Sequence, residues 1–166
     1  VVRGLYSGGT LAAEAQLIFL RHQCAVSSNV PVPGASALKQ ADGHAMIDLG
    51  SDEYTQGRPH PMIDPAVRDA ALEAALGDAQ VKVLLLDIIL GFGAHGDPAG
   101  YLAQQLEKCG RNDTIIVASV CGGDDDFQGR DRQIDKLKRA DVVVAPSNAD
   151  AAELAFTLIR DSSHKD

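Results

Sequence analysis

The chain has 166 residues, 45% of them apolar and 23% charged, the mix of a folded globular protein and not of a disordered one. No apolar run approaches the ~20 residues that a membrane-spanning helix needs, and a net charge of −8 with scattered Lys and Arg leaves no basic stripe for nucleic acid. Three cysteines without a C-x-x-C pair argue against a disulfide framework or a zinc knuckle and for a reducing cytoplasm, while 4% aromatic content without Trp argues against base-stacking platforms and a ring-sandwiched flavin.

The chain opens on a strand-like run, Val1-Val2-Arg3-Gly4-Leu5-Tyr6, without an initiator Met. A single domain over 1–166, taken from a longer polypeptide, is the expectation. Val2–Tyr6 reads as the first strand, Ser7-Gly8-Gly9-Thr10 as a turn, and Leu11–Arg21 as a helix with Leu11, Ala15, Ile18 and Phe19 on one face. Residues 25–43, rich in Ser, Pro, Gly and Ala, read as a connection with at most a short extended piece, and no function is assigned to them. A second strand is expected at Ala45–Leu49, then a polar loop from Gly50 to Pro61.

Asp64 can cap a helix that Pro65 opens, that runs through Leu76, and that Gly77 stops. Val81–Leu90 is the strongest strand, apolar on both faces apart from Lys82 and Asp87, as suits the middle of a covered parallel sheet. Asp97-Pro98 repeats the opening device for a helix ended by Gly110. Thr114–Val120 reads as strand four, Arg130–Arg139 as a polar helix with Ile134 and Leu137 inward, and Asp141–Ala145 as strand five. Ser147-x-x-Asp150 is a capping box for a last helix, Ala151–Arg160. Strands alternating with helices predict an α/β fold, a flavodoxin-like doubly wound five-stranded parallel sheet with helices on both faces.

In such a sheet, ligands bind beyond the carboxyl ends of the strands. The glycines of Ser7, Gly8, Gly9 and Thr10 lead into a helix N-terminus, so this turn is either a phosphate cradle or an ordinary capped turn. Gly57-Arg58-Pro59-His60-Pro61 packs a guanidinium suited to a carboxylate or phosphate beside an imidazole suited to proton transfer. His95, in the loop after the central strand, is a candidate acid, base or donor. Asp87 inside that strand must be paired or protonated and is placed to orient one of the histidines. The catalytic candidates are therefore His95, His60 and Asp87, with Arg58, Gly93, Gly122 and Gly123 as substrate contacts. Asp124-Asp125-Asp126 is either a solvated loop or a carboxylate set of the kind that holds Mg²⁺, and no metal ligand set is assigned. Cys121 is a possible nucleophile or a small hydrophobe. His22, His44, Asp48 and His164 receive no role.

Ser7-Gly8-Gly9-Thr10-Leu11-x-x-Glu14 resembles the segment that opens the C-terminal, flavodoxin-like domain of succinyl-CoA synthetase α subunits. Gly57-Arg58-Pro59-His60-Pro61-Met62-Ile63-Asp64-Pro65 and Leu86-Asp87-x-x-Leu90-Gly91-x-Gly93-Ala94-His95-x-Asp97-Pro98-Ala99 are similar to signatures of the FdrA proteins, divergent members of that superfamily. The resemblance implies an N-terminal Rossmann-like, CoA-binding-type domain in the same polypeptide and partner subunits. It implies carbamoyl transfer between oxamate and phosphate in purine (allantoin) catabolism, with carbamoyl phosphate, CoA or a nucleotide as the phosphate-bearing ligand. The synthetases carry a phosphorylated histidine in the loop after the fourth strand; here Cys121–Arg130 holds none, so a phosphohistidine relay is not expected there. The alternatives are an ADP- or GDP-forming acyl-CoA synthetase domain and a noncatalytic subunit-docking domain.

Overall fold

The fold is described from a computed structural model covering residues 1–38, 43–110 and 113–162. The strands are β1 (Val2–Tyr6), β2 (Val26–Ser28), β3 (Ser36–Ala37), β4 (His44–Asp48), β5 (Val83–Ile89), β6 (Ile115–Cys121) and β7 (Val143–Ala145). All pair in parallel, in the spatial order β3-β2-β4-β1-β5-β6-β7. The helices are α1 (Gly9–Arg21), α2 (Asp52–Thr55), α3 (Asp69–Gly77, after a 3-10 turn at Pro65–Arg68), α4 (Pro98–Cys109), α5 (Arg130–Arg139) and α6 (Asn148–Ser162).

The expected five-stranded sheet is corrected to seven strands. The two additions, β2 and β3, fall in the Ser/Pro/Gly-rich connection, where strands of three and two residues carry no apolar alternation to read. Tertiary contacts hold them. The buried Gln16 side chain of α1 donates to the Val30 carbonyl at 3.2 Å and accepts the Val32 N–H at 3.0 Å. The loop expected at Gly50–Pro61 also contains the one-turn helix α2. The last helix begins at Asn148, where the Ser147 hydroxyl accepts the Asp150 N–H at 3.1 Å.

Alternation along β5 divides the core. Val83 and Leu85 pack with Val2, Phe19, Met46, Ala152 and Ala155 under α1 and α6. Leu84, Leu86 and Ile88 pack with Leu72, Leu102 and Leu137 under α3, α4 and α5. Gly4 in β1 is demanded by this packing, because a Cβ there would lie 2.5 Å from Met46 Sδ and 2.6 Å from the Tyr6 ring. His44, at the start of β4, accepts the Val2 N–H on Nδ1 at 3.0 Å, and burial holds its pKa below the ordinary value. Among the described residues no helix is long and apolar enough to cross a membrane.

Register sets the position of the site. Tyr6 lies opposite Asp48, and Asp87 opposite Ser119, so polar groups enter the apolar sheet close to its carboxyl edge.

Candidate functional site

All seven parallel strands end at this edge, and the loops that follow β1, β4, β5 and β6 are tied to one another. The Asp87 carboxylate, 1% exposed, accepts the Ser7 N–H at 2.8 Å and the Gly8 N–H at 2.8 Å. The Arg68 guanidinium, 7% exposed, donates to Asp87 Oδ1 at 2.6 Å, to the Asp87 carbonyl at 3.0 Å and to Ser7 Oγ at 2.5 Å. Asp87 is thus paired with an arginine and not with a histidine, and it clamps the β1–α1 turn from below. Arg68 escaped the sequence reading. The available clue was that a carboxylate in an apolar strand needs a buried cation.

Within Ser7–Thr10, the first two N–H groups serve Asp87, while Gly9, Thr10 and Leu11 open α1. The cap of α1 is Gly8, with no side-chain hydrogen bond, so the N–H groups of that first turn have no helical carbonyl to meet. Gly9 and Thr10 are exposed. Asp48 stands beside them, with Oδ1 accepting the Gly50 N–H at 2.9 Å. Burial raises the Asp48 pKa above its ordinary value, the Gly50 N–H and His60 oppose the rise, and Asp87 adds to it.

His60 lies over Gly50. A Cβ on Gly50 would collide with His60 Nε2 and sit 2.6 Å from the Ser7 carbonyl. His60 Nδ1 accepts the Met62 N–H at 3.2 Å, and His95 Nδ1 accepts the Asp97 N–H at 3.1 Å. The same two-residue turn therefore leaves the proton of each neutral imidazole on Nε2. The histidine loops are joined where the His95 N–H donates to the Met62 carbonyl at 2.9 Å. His95 packs edge-on against Tyr101, 5.9 Å between centroids. The Tyr101 hydroxyl donates to Asp69 at 2.6 Å, and burial with that carboxylate pushes its pKa to about 12. A cavity of about 30 Å³, large enough to admit water, lies between Arg68, Leu72, Asp87 and Tyr101.

The third loop is fastened by Gln128, which is fully buried. Its side chain accepts the Gly91 N–H at 3.2 Å and donates to the Gly91 carbonyl at 2.9 Å and the His95 carbonyl at 3.2 Å. Gly93, Gly122 and Gly123 are exposed beside it, and the Gly123 N–H is taken by Asp126 at 2.6 Å. Asp97 caps α4 through the Gly100 N–H at 3.2 Å. Burial works against its ionisation, but bonds from Lys136, Gln133 and Gly100 outweigh burial and lower its pKa. Arg58 is exposed at the outer end of its loop, apart from the buried cluster. Among the described residues, no three His, Cys, Asp or Glu are grouped so as to hold a metal ion. His164 lies outside the described residues.

The structure thus gathers Ser7, Gly8, Gly9, Asp48, His60, Arg68 and Asp87 around the start of α1, with His95 on the adjoining loop. The CoA-ligase family model matches residues 5–158, which takes in all these positions. The chain is also similar to the uncharacterized protein YahF of Escherichia coli (strain K12), 35% identical over 168 residues, covering 95% of this chain and 32% of that protein. It spans about a third of the length of that relative. By the match over nearly its whole length, the chain belongs to the CoA-ligase family.

Proposed function

We propose that this domain is one part of a larger, succinyl-CoA-synthetase-related enzyme and that its carboxyl rim moves an acyl-type group to or from a phosphate-bearing ligand. The observation that carries the reading is the open first turn of α1, at Gly9 and Thr10, with the Nε2–H of His60 held beside it over Gly50. The phosphate seats on those N–H groups. Arg58 grips a carboxylate from the loop above, and His60 and His95 act as N–H donors to developing charge. The group moves directly between substrates, since 121–130 has no histidine and both rim imidazoles present a proton at Nε2 and not a lone pair. Carbamoyl transfer, with oxamate as acceptor and phosphate as leaving group, is the specific reaction proposed. An N–C bond forms, the C–O bond to phosphate breaks, and the nitrogen releases one proton. Acyl-CoA formation is the second reading, favoured by the family match. A Rossmann-like domain of the same polypeptide and partner subunits complete the site in either case, in keeping with the share of YahF that this chain covers.

A thermal-shift panel of phosphate, carbamoyl phosphate, oxamate, CoA and ADP with Mg²⁺ tests this. A ligand at a hundred times its Kd adds about 2.7 kcal/mol, a rise of roughly 5–10 °C in Tm for a chain of this size. A rise with carbamoyl phosphate or oxamate that Arg58→Ala removes is the expected result. A rise with CoA alone transfers the assignment to acyl-CoA formation, and no rise with any of them transfers it to the noncatalytic subunit-docking domain.

A further inference from the structure

Asp48 is 8% exposed, and its carboxylate is only half engaged. Oδ1 holds the Gly50 N–H. Oδ2 accepts no hydrogen bond among the described residues and points at the opening of α1, where a Cβ on Gly9 would lie 2.7 Å from it. The position is firmly built. The Asn29 carboxamide donates to the Asp48 carbonyl at 2.9 Å and accepts its N–H at 2.9 Å, while Ser51 Oγ donates to the same carbonyl at 2.9 Å. A carboxylate oxygen without a protein donor, set on a mostly buried residue and facing a helix N-terminus whose own N–H groups lack acceptors, suits a ligand that supplies both.

The groups facing this carboxylate are few. His60 comes from the 57–64 loop and favours its ionised form. Asp87 comes from β5 and disfavours it, with Arg68 paired to that carboxylate from the 3-10 turn. The β1–α1 turn contributes Ser7, Gly8, Gly9 and Thr10, none of which titrates near neutrality, and the segment after β2 contributes the neutral Asn29. Asp52 and Glu53 of α2 are exposed. Burial of Asp48 itself is the largest influence, and it raises the pKa.

We propose that Asp48 makes anion binding at the first turn of α1 proton-coupled: the anion enters together with one proton, shared between it and Asp48 Oδ2. The inference rests on the α1 site of the proposed function and names its ligand class, an oxyanion that carries or takes up a proton, such as a monoprotonated phosphate. A fully ionised anion meets a carboxylate across Gly9 and is disfavoured on the order of tenfold per unit charge in a partly buried setting.

Sulfate is the probe, because it keeps its full charge between about pH 5 and pH 8 and any pH dependence then belongs to the protein. Binding is followed by NMR at the Gly9 and Thr10 amides of the 166-residue chain, in wild type, Asp48→Asn and His60→Gln. Asparagine retains the acceptor for the Gly50 N–H. Wild-type affinity is expected to fall as pH rises. At about pH 8 the Asp48→Asn variant should bind on the order of tenfold more tightly and show no pH slope, while His60→Gln keeps the slope. A slope that survives in Asp48→Asn, or disappears in His60→Gln, overturns the proposal. A flat wild-type profile does so without any variant, should Asp48→Asn not fold. No shift of the two amides in any protein at any pH instead removes the α1 site itself, so the two failures are distinct.

Discussion

Asp87 occupies the centre of an otherwise apolar strand, and three donors to its carboxylate explain how it can. The Ser7 and Gly8 N–H groups and the Arg68 fork surround it, and Ser7 Oγ completes the circuit. Removing one member of a buried ion pair leaves the other uncompensated, which costs more than the pair contributes. Arg68→Met is therefore expected to destabilise the chain by about 3–5 kcal/mol, read as a lower urea midpoint. Adding Asp87→Asn to it should recover part of that loss, because the stranded charge is gone. An Arg68→Met variant of wild-type stability would show that Asp87 is held by its backbone donors alone.

At the level of elements, the helices are placed by local signals and the loops by long-range polar clamps. Asp64 and Asp97 cap their helices through the Ala66 and Gly100 N–H groups, each followed by a proline that needs no partner. No local rule fixes the loop after β5; Gln128, 33 residues beyond His95, does so. Gln128→Ala strands the Gly91 N–H and carbonyl groups inside the protein, with an expected loss of about 1–3 kcal/mol. Hydrogen exchange at Gly91 should accelerate beyond what that loss alone predicts, while exchange in β1 should follow the global change. Equal acceleration at both places would mean that Gln128 stabilises the whole fold without specifically holding the His95 loop.

Across the whole molecule, the two cores share one sheet, since β5 contributes alternate residues to each. Damage to either face should then weaken a single transition. Phe19→Ala under α1 is expected to cost about 3–5 kcal/mol and Leu137→Ala under α5 about 2–5 kcal/mol. In both variants, far-UV circular dichroism and a fluorescent label on the opposite face should report the same midpoint. Separate midpoints would mean that the two layers unfold independently.

The long apolar runs of β1, β5 and β6, the Asp-Pro openings and the stop at Gly110 were legible in the chain, because each depends on neighbours within a few residues. So was the placing of His60 and His95 on loops at the carboxyl rim, which the structure joins through the His95 N–H and the Met62 carbonyl. Gly77, by contrast, is itself the last residue of α3, and Asp78 caps it. Strands β2 and β3 were not legible, because strands of two or three residues exist only through the pairing of β2 with β4, of β3 with β2, and the reach of Gln16. Nor were Arg68 as partner of Asp87, or Asp48 as the carboxylate at the opening of α1. Local sequence determines periodicity, caps and turns, whose energies arise within one or two helical turns. Which buried charge meets which donor depends on strand order and register, and only the tertiary structure decides those.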